Sequence, residues 1–276
     1  MKKNFLKLSG VAVLLLFVAG SCKKLDRPVM GDYPADTNPP GGPLKFYAAM
    51  DGRSVDSIRA NFGVDHNVSF VQGVRGQAVQ FDGSKNGYVS FPSANDFGAS
   101  SSFTISFWMN IPLSKKDNSH AVGILAFANS KNFWGNATFY ADNNAKSPSD
   151  SMDLKIHFGA PNNGDNWNFA GYNFTKAWPK MYDGQWHQVG FTYDATTGTG
   201  TVYRDGAQFD QKTGQTIAFE NSSQVILGGY QEAAGVVDTY ANNTWMAGFA
   251  GAIDQVRLYG KALTAAEMAS LYANKQ

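Results

Sequence analysis

Two stretches in which apolar and polar residues alternate constrain this chain more than any other feature. One is Phe103-Thr104-Ile105-Ser106-Phe107-Trp108-Met109, and the other is Trp186-His187-Gln188-Val189-Gly190-Phe191-Thr192-Tyr193. A period of two sends successive side chains to opposite faces, so each reads as a strand with one face in a core. Turn chemistry separates such segments at Asp82-Gly83, Asp183-Gly184, Thr197-Gly198 and Asp205-Gly206. The last follows Thr201-Val202-Tyr203-Arg204 directly and is a hairpin signal. Short strands with turns about every 8–12 residues predict one large all-β sandwich, not two domains. Only 3 of the 22 acidic residues are Glu, and 29 of the 276 residues are Gly. Long surface helices are therefore not expected, which argues against a helical bundle or a doubly wound α/β fold. One short C-terminal helix is. Thr264-Ala265-Ala266-Glu267 forms a capping box, with Leu263 and Met268 spaced as a hydrophobic staple. It should run to about Tyr272 and cover a sheet edge or end.

The 23 basic and 22 acidic residues nearly cancel, so nothing points to nucleic acid or to a polybasic membrane-surface binder. With one Cys, Cys22, an internal disulfide and a Cys-based zinc site are excluded. Lys2, Lys3 and Lys7 precede the apolar run Val11–Ala19. That run is shorter than the roughly 20 residues a bilayer requires and fits a secretory signal. Ala19-Gly20-Ser21-Cys22 then resembles a bacterial lipobox, although Ala19 stands where Leu is most common. Residues 1–21 are read as a lipoprotein signal peptide, with Cys22 lipidated at the mature N-terminus. The alternative is an ordinary signal peptide with a chance Cys. Residues 23–43 hold five Pro and three Gly, so 22–43 reads as a tether and 44–276 as the domain.

Several segments resemble, in order, the laminin-G-like, concanavalin A-like jelly rolls. Phe103–Trp108 resembles their "F-T-I-x-x-W" strand, and Trp186–Asp194 their "W-H-x-V-x-x-T-Y-D" strand. Gly76–Gly83 fits "G-x-A-x-x-F-D-G", Val202–Gly206 fits the hairpin and Ile226–Gly229 the strand after it. Phe249–Tyr259 resembles the closing "F-x-G-x-I-D-x-V-R-I-Y" strand. The resemblance implies a two-sheet antiparallel jelly-roll sandwich, one sheet concave, with its chain ends adjacent. It also implies a structural Ca²⁺ held by Asp51 and Asp254, since Ca²⁺ takes six to eight oxygen ligands. The alternative is that Asp254 pairs with Arg257 or caps a turn. Asp142-Asn143-Asn144 is a weaker metal candidate.

The fold hosts lectins, hydrolases, lyases and adhesive modules, so function must come from a site. No Glu has an acidic partner at i±2 or i±4, as the paired carboxylates of this fold's hydrolases would require. There is no Gly-x-Ser-x-Gly elbow and no His-Glu-x-x-His. Lys155-Ile156-His157-Phe158 echoes only a fragment of a lyase strand, and His157 and His187 are read as structural. Sugars stack on aromatic faces while Asn, Asp and Gln bind their hydroxyls. Trp134, Trp167, Trp178 and Trp245, with Asn166 and Tyr172, lie in polar, loop-like sequence and are the candidate carbohydrate contacts. Trp108 and Trp186, on patterned strands, are assigned to the core. The expectation is a non-catalytic polysaccharide-binding lipoprotein of a Gram-negative outer membrane. It would be exposed at the cell surface and serve outer-membrane glycan-uptake proteins. The alternatives are an adhesive or scaffold subunit that binds protein and, more remotely, a glycoside hydrolase or polysaccharide lyase.

Overall fold

The computed structural model describes residues 41–84, 86–144, 146–168, 177–237 and 243–275, with Trp167 and Asn168 as backbone alone. The expected signal peptide, Cys22, most of the tether, and Tyr172 lie outside these residues. In chain order come β1 (Leu44–Ala48), β2 (Val55–Asp56), β3 (Asn61–Phe62), β4 (Val64–His66), β5 (Ser69–Gln72), β6 (Gln77–Asp82) and β7 (Tyr88–Phe91). Next are β8 (Phe103–Pro112), β9 (Ala121–Asn129), β10 (Ala137–Ala141), β11 (Leu154–Ala160) and β12 (Gly164–Asn168). The remainder are β13 (Asp183–Asp194), β14 (Thr199–Arg204), β15 (Ala207–Lys212), β16 (Ser222–Leu227), β17 (Met246–Ala247), β18 (Ala250–Tyr259) and helix α1 (Ala265–Ala273).

The strands form two sheets. The first runs β15-β14-β13-β8-β18-β1-β2-β3, with the β5–β6 hairpin joined to β18 through β6. The second runs β12-β11-β10-β9-β16-β7-β4. Neighbours are antiparallel except β17, which pairs parallel to β9. The alternating segments supply the interior as their period demands. Phe103, Phe107, Val189 and Phe191 of the first sheet join Phe127, Phe139 and Phe158 of the second in one core cluster. Phe158 lies 4.3 Å from Phe191, and Phe107 meets Phe139 edge-on at 5.5 Å. Each such ring contributes about 1.5–3 kcal/mol by leaving water. This is the expected jelly-roll sandwich.

The outer face of the first sheet is covered. Thr264 caps α1 and the reciprocal Glu267 bond completes the capping box. Leu263 and Met268 are buried in one cluster with Leu271, Tyr203 and Tyr259. Trp108 is wholly buried and stacks on Tyr272 at 5.4 Å, so it packs beneath the helix. Trp186, expected in the core, is only half-buried. Pairing of β13 on β8 is continuous from Trp186 to Tyr193, and Trp186, an odd number of residues from core Val189, Phe191 and Tyr193, therefore lies on the opposite face of the strand. Asp205 and Gly206 both take positive φ, as a tight hairpin turn requires. His187 fastens that turn, with Nδ1 2.9 Å from Asp205 Oδ2 and Nε2 3.1 Å from Asp183 Oδ1. Burial opposes its charge, but the two carboxylates outweigh burial and raise its pKa.

Trp178 requires a correction. Its surroundings in sequence are polar, but it is 2% exposed and belongs to the main core. Its backbone exchanges hydrogen bonds with Met152, 2.8 and 2.7 Å long, and its ring lies against Phe209. It is therefore a packing residue, not a surface contact.

Candidate functional site

Alternation on the second sheet decides what faces outward. Along β11, Leu154, Ile156 and Phe158 enter the core, leaving Lys155 and His157 on the other face. On β10, Tyr140 stands opposite Lys155 and Thr138 opposite His157. Gly123 of β9 stands opposite Tyr140. Tyr230 lies directly over it, and a Cβ at Gly123 would come within 2.6 Å of that ring. The missing side chain is what lets Tyr230 reach the sheet.

The result is an aromatic platform. Trp134 stacks on Tyr140, centroids 5.6 Å apart and planes 23° from parallel. Trp245 lies 5.8 Å from Trp134 and 6.2 Å from Tyr230, and Tyr230 lies 5.9 Å from Tyr140. Phe133 packs 4.9 Å from Trp134. Trp245 is 39% exposed, so the cluster reaches solvent. Buried Gln231, in the 3₁₀ turn Gln231–Ala234, pins the loop that presents Phe133 and Trp134. Its amide donates to the carbonyls of Asn132 and Phe133, while its Oε1 accepts the Asn129 N–H at 2.8 Å. Asn132 Oδ1 in turn accepts the Trp134 N–H at 2.8 Å. A cavity of about 250 Å³ opens beside the platform, lined by residues that include Asn86, Tyr230, Glu232, Ala233, Met246 and Gly248.

Polar groups edge the aromatic ones. Lys155 pairs with Asp142. His157 Nε2 donates to Asp165 Oδ1 at 3.0 Å. Burial lowers the His157 pKa to about 4 despite Asp165, so the imidazole is neutral near pH 7. Asp153 is 3% exposed, and its Oδ1 has no hydrogen-bond partner among the described residues. Burial raises its pKa to about 6; Lys155 opposes the shift and Asp142 adds to it. The buried Tyr230 hydroxyl also lacks a partner among the described residues. Burial, then Tyr140, Asp142 and Glu232, hold it well above the usual tyrosine range.

The expected sugar contacts separate accordingly. Trp134 and Trp245 meet on the platform. The backbone of Trp167 pairs with His157, whereas Asn166 pairs with Phe158, a core residue. The Asn166 amide donates to the Thr216 carbonyl at 3.1 Å, and the residue is half-buried away from the platform's rings in register. Tyr140 and Tyr230 are additions. Tyr140 follows the Trp134 loop in sequence and alternates with core Phe139, which is a readable signal. Tyr230 follows Gly228-Gly229 and carried none.

Asp51 and Asp254 meet elsewhere, at the loop joining β5 to β6. Asp254 Oδ2 accepts the N–H groups of Val74 and Arg75 at 2.8 and 3.3 Å, and Asp51 Oδ1 accepts that of Gln77 at 2.7 Å. Asp254 thus caps a turn with one oxygen. Its other oxygen, fully buried, has no hydrogen-bond partner among the described residues. Burial raises its pKa to about 7, and Asp51 adds to the shift. Arg257 is engaged with Gln255 and the Tyr47 ring. An unpartnered buried oxygen beside a second carboxylate fits a hard cation, with backbone carbonyls completing the shell. Among the described residues no group of three or more His, Cys, Asp or Glu forms a denser metal cluster. Asp142 is held by Lys155, which disfavours the Asp142–Asn144 alternative.

The family model described as the concanavalin A-like lectin/glucanases superfamily matches residues 82–269. The chain belongs to this superfamily. No curated protein matches it. Among solved structures, domain 4 of AbnA, a GH43 extracellular arabinanase from Geobacillus stearothermophilus, was determined in complex with arabinotriose. It is 20% identical, with 83% of this chain and 98% of that one covered and a TM-score of 0.55. The binding domain of Paraclostridial Mosquitocidal Protein 1 is 14% identical over 84% of this chain and 52% of its own, with a TM-score of 0.57. The binding domain of Botulinum neurotoxin DC, in complex with SialylT, is 14% identical over 86% and 52%, with a TM-score of 0.57. This superfamily member therefore spans about half the length of the toxin binding domains it resembles. At these identities the likeness concerns the fold.

Asp153 generates a stability prediction. Its folded pKa, about 6, exceeds the usual 3.8, so its contribution to stability is full below pH 4 and is lost as pH rises through 6. Asp153→Asn removes that cost and should stabilise the protein by up to about 3 kcal/mol at pH 7.5. The gain should vanish by pH 4. Urea unfolding at both pH values measures it, and a variant no more stable than the parent at pH 7.5 contradicts the assignment.

Proposed function

We propose that this chain is a non-catalytic carbohydrate-binding lipoprotein and that the aromatic platform takes the sugar. The observation that carries the reading is the meeting of Trp134, Tyr140, Tyr230 and Trp245 on one sheet face, edged by carboxylates and opening to solvent. Aromatic faces receive the C–H surfaces of a sugar ring, and the polar edge receives its hydroxyls. Arabinotriose in the arabinanase domain is in keeping with this use of the fold. Binding without turnover is favoured because the two carboxylates of the strand face that reach solvent, Asp142 and Asp165, are committed. Asp142 is held by Lys155, Asp165 by His157 and Asn132, and Asp153 is buried. A glycosidase needs two carboxyls flanking the scissile bond in complementary protonation states.

Around this core we place the remaining assignments of the sequence. Cys22 carries the lipid, residues 22–43 tether the domain, and the protein sits on the outer membrane facing outward. There it holds polysaccharide for glycan-uptake proteins. Asp51 and Asp254 hold a structural Ca²⁺ that joins β18 to the β5–β6 loop, remote in role from the sugar.

Three outcomes check these statements. Trp245→Ala removes an exposed ring and should weaken polysaccharide binding at least tenfold, about 1.4 kcal/mol, in affinity gels at unchanged melting temperature. Undiminished retardation would speak against the platform. Ca²⁺ against chelator should raise the melting temperature, more at pH 8 than at pH 6, because the ion takes the ionised form of a carboxylate that titrates near 7. An equal shift in Asp254→Asn would remove Ca²⁺ from that site. Labelled palmitate should enter the parent but not Cys22→Ala, and equal labelling of both would end the lipoprotein reading.

A further inference from the structure

Strands β9 to β12 carry one cation, Lys155, and it is paired with Asp142. Asp153, Asp165 and, at the cavity, Glu232 add carboxylates. His157, buried and neutral, offsets none of them. An anionic sugar laid on the rings would meet these carboxylates, against which the strands leave no cation and the loop before Trp134 adds only the exposed Lys131. A sugar hydroxyl would meet acceptors. Two buried polar atoms on this side of the sheet, Asp153 Oδ1 and the Tyr230 hydroxyl, have no hydrogen-bond partner among the described residues. Such atoms are costly unless something answers them.

The cavity adds a dimension to the ligand. Tyr230 and Met246 belong to the platform's apolar cluster and also line the cavity, so the two are continuous. At about 250 Å³ it lies below the roughly 300–1,000 Å³ of pockets that enclose drug-sized ligands. It suits one sugar ring, with Glu232 and Asn86 as hydroxyl partners and Ala233 and Met246 as its apolar wall.

We infer that the glycan taken by this platform is neutral, and that the cavity beside Tyr230 is a subsite for one of its sugar units. The inference rests on the carbohydrate-binding reading above and narrows it. The test is retardation of the full chain in gels containing neutral polysaccharides (arabinan, xylan, β-glucan), polygalacturonate, or polygalacturonate reduced at its carboxyls. At least one neutral polymer should bind ten times more tightly than polygalacturonate. Glu232→Gln should raise retention by polygalacturonate and leave melting temperature unchanged. Ala233→Phe, which fills the cavity, should weaken the neutral polymer tenfold, with circular dichroism confirming the fold. If Ala233→Phe disturbs folding, Ala233→Val serves in its place with a smaller loss. Preference for polygalacturonate, with binding still lost in Trp245→Ala, overturns neutrality and leaves the platform standing. Full affinity in the folded cavity variants overturns the subsite. Retention by no polymer overturns this inference and the reading beneath it together.

Discussion

Everything in the first sheet depends on one irregularity in β18. This strand pairs with β8 along one side and, on the other, with β6 through Ala250–Ile253 and with β1 through Val256–Tyr259. Between those halves Gln255 takes a positive φ of 51°, and the register on β8 slips between Asp254 and Arg257. A bulge re-aims the residues beside it. Here it turns Asp254 toward the β5–β6 loop and places Gln255 where the Tyr47 hydroxyl donates at 2.8 Å and Arg257 at 2.9 Å. Arg257 in turn lies over the Tyr47 ring, 4.0 Å from its centroid. Backbone strain at one residue is thus held by a buried polar network, and the exchange of partners along β18 is fixed at one position.

The two outer faces then diverge. A capped helix closes one with Met268, Leu271 and a stacked Trp108. The other keeps its rings, and its buried polar atoms are not all answered among the described residues. Asp153 and Tyr230 would be easier to tolerate as apolar or amide groups, and their presence lowers stability where the local rules favour something else. Departures of that kind gather where a surface has a use. Gln231 is the counterpart on the stable side. One buried amide fastens the loop of Phe133 and Trp134 through three hydrogen bonds, so the rings are presented by a fixed backbone.

What the sequence disclosed follows from the range of the physics involved. The alternation at 103–109 and 186–193, the Asp205-Gly206 turn and the Thr264 capping box are local, and each reappears in the structure. Trp134 and Trp245 were legible as tryptophans in polar surroundings. Their approach to each other was not, because the parallel pairing of β17 with β9 sets it and no local pattern encodes that. Trp178 misled for the same reason in reverse: its neighbours in sequence are polar, while its neighbours in space, Met152 and Phe209, are not. Tyr230 escaped notice because its partner is an absence, the missing side chain of Gly123 on another strand. Trp186 lies outside the core because the strand's period of two sends it to the face opposite Val189 and Phe191.

The pairing of β1 with β18, Leu44 opposite Tyr259, bears on how the protein comes into being. Apart from one pair with β2, the first strand of the domain has no partner until the last one has been made. β8, the neighbour of β18 on its other side, has β13 to pair with before then. Contacts of such long sequence separation are slow to form, since the loop between them must close before any bonding rewards it. A chain made N-terminus first therefore leaves β1 without its main partner until β18 is made, and joins the two ends of the domain last.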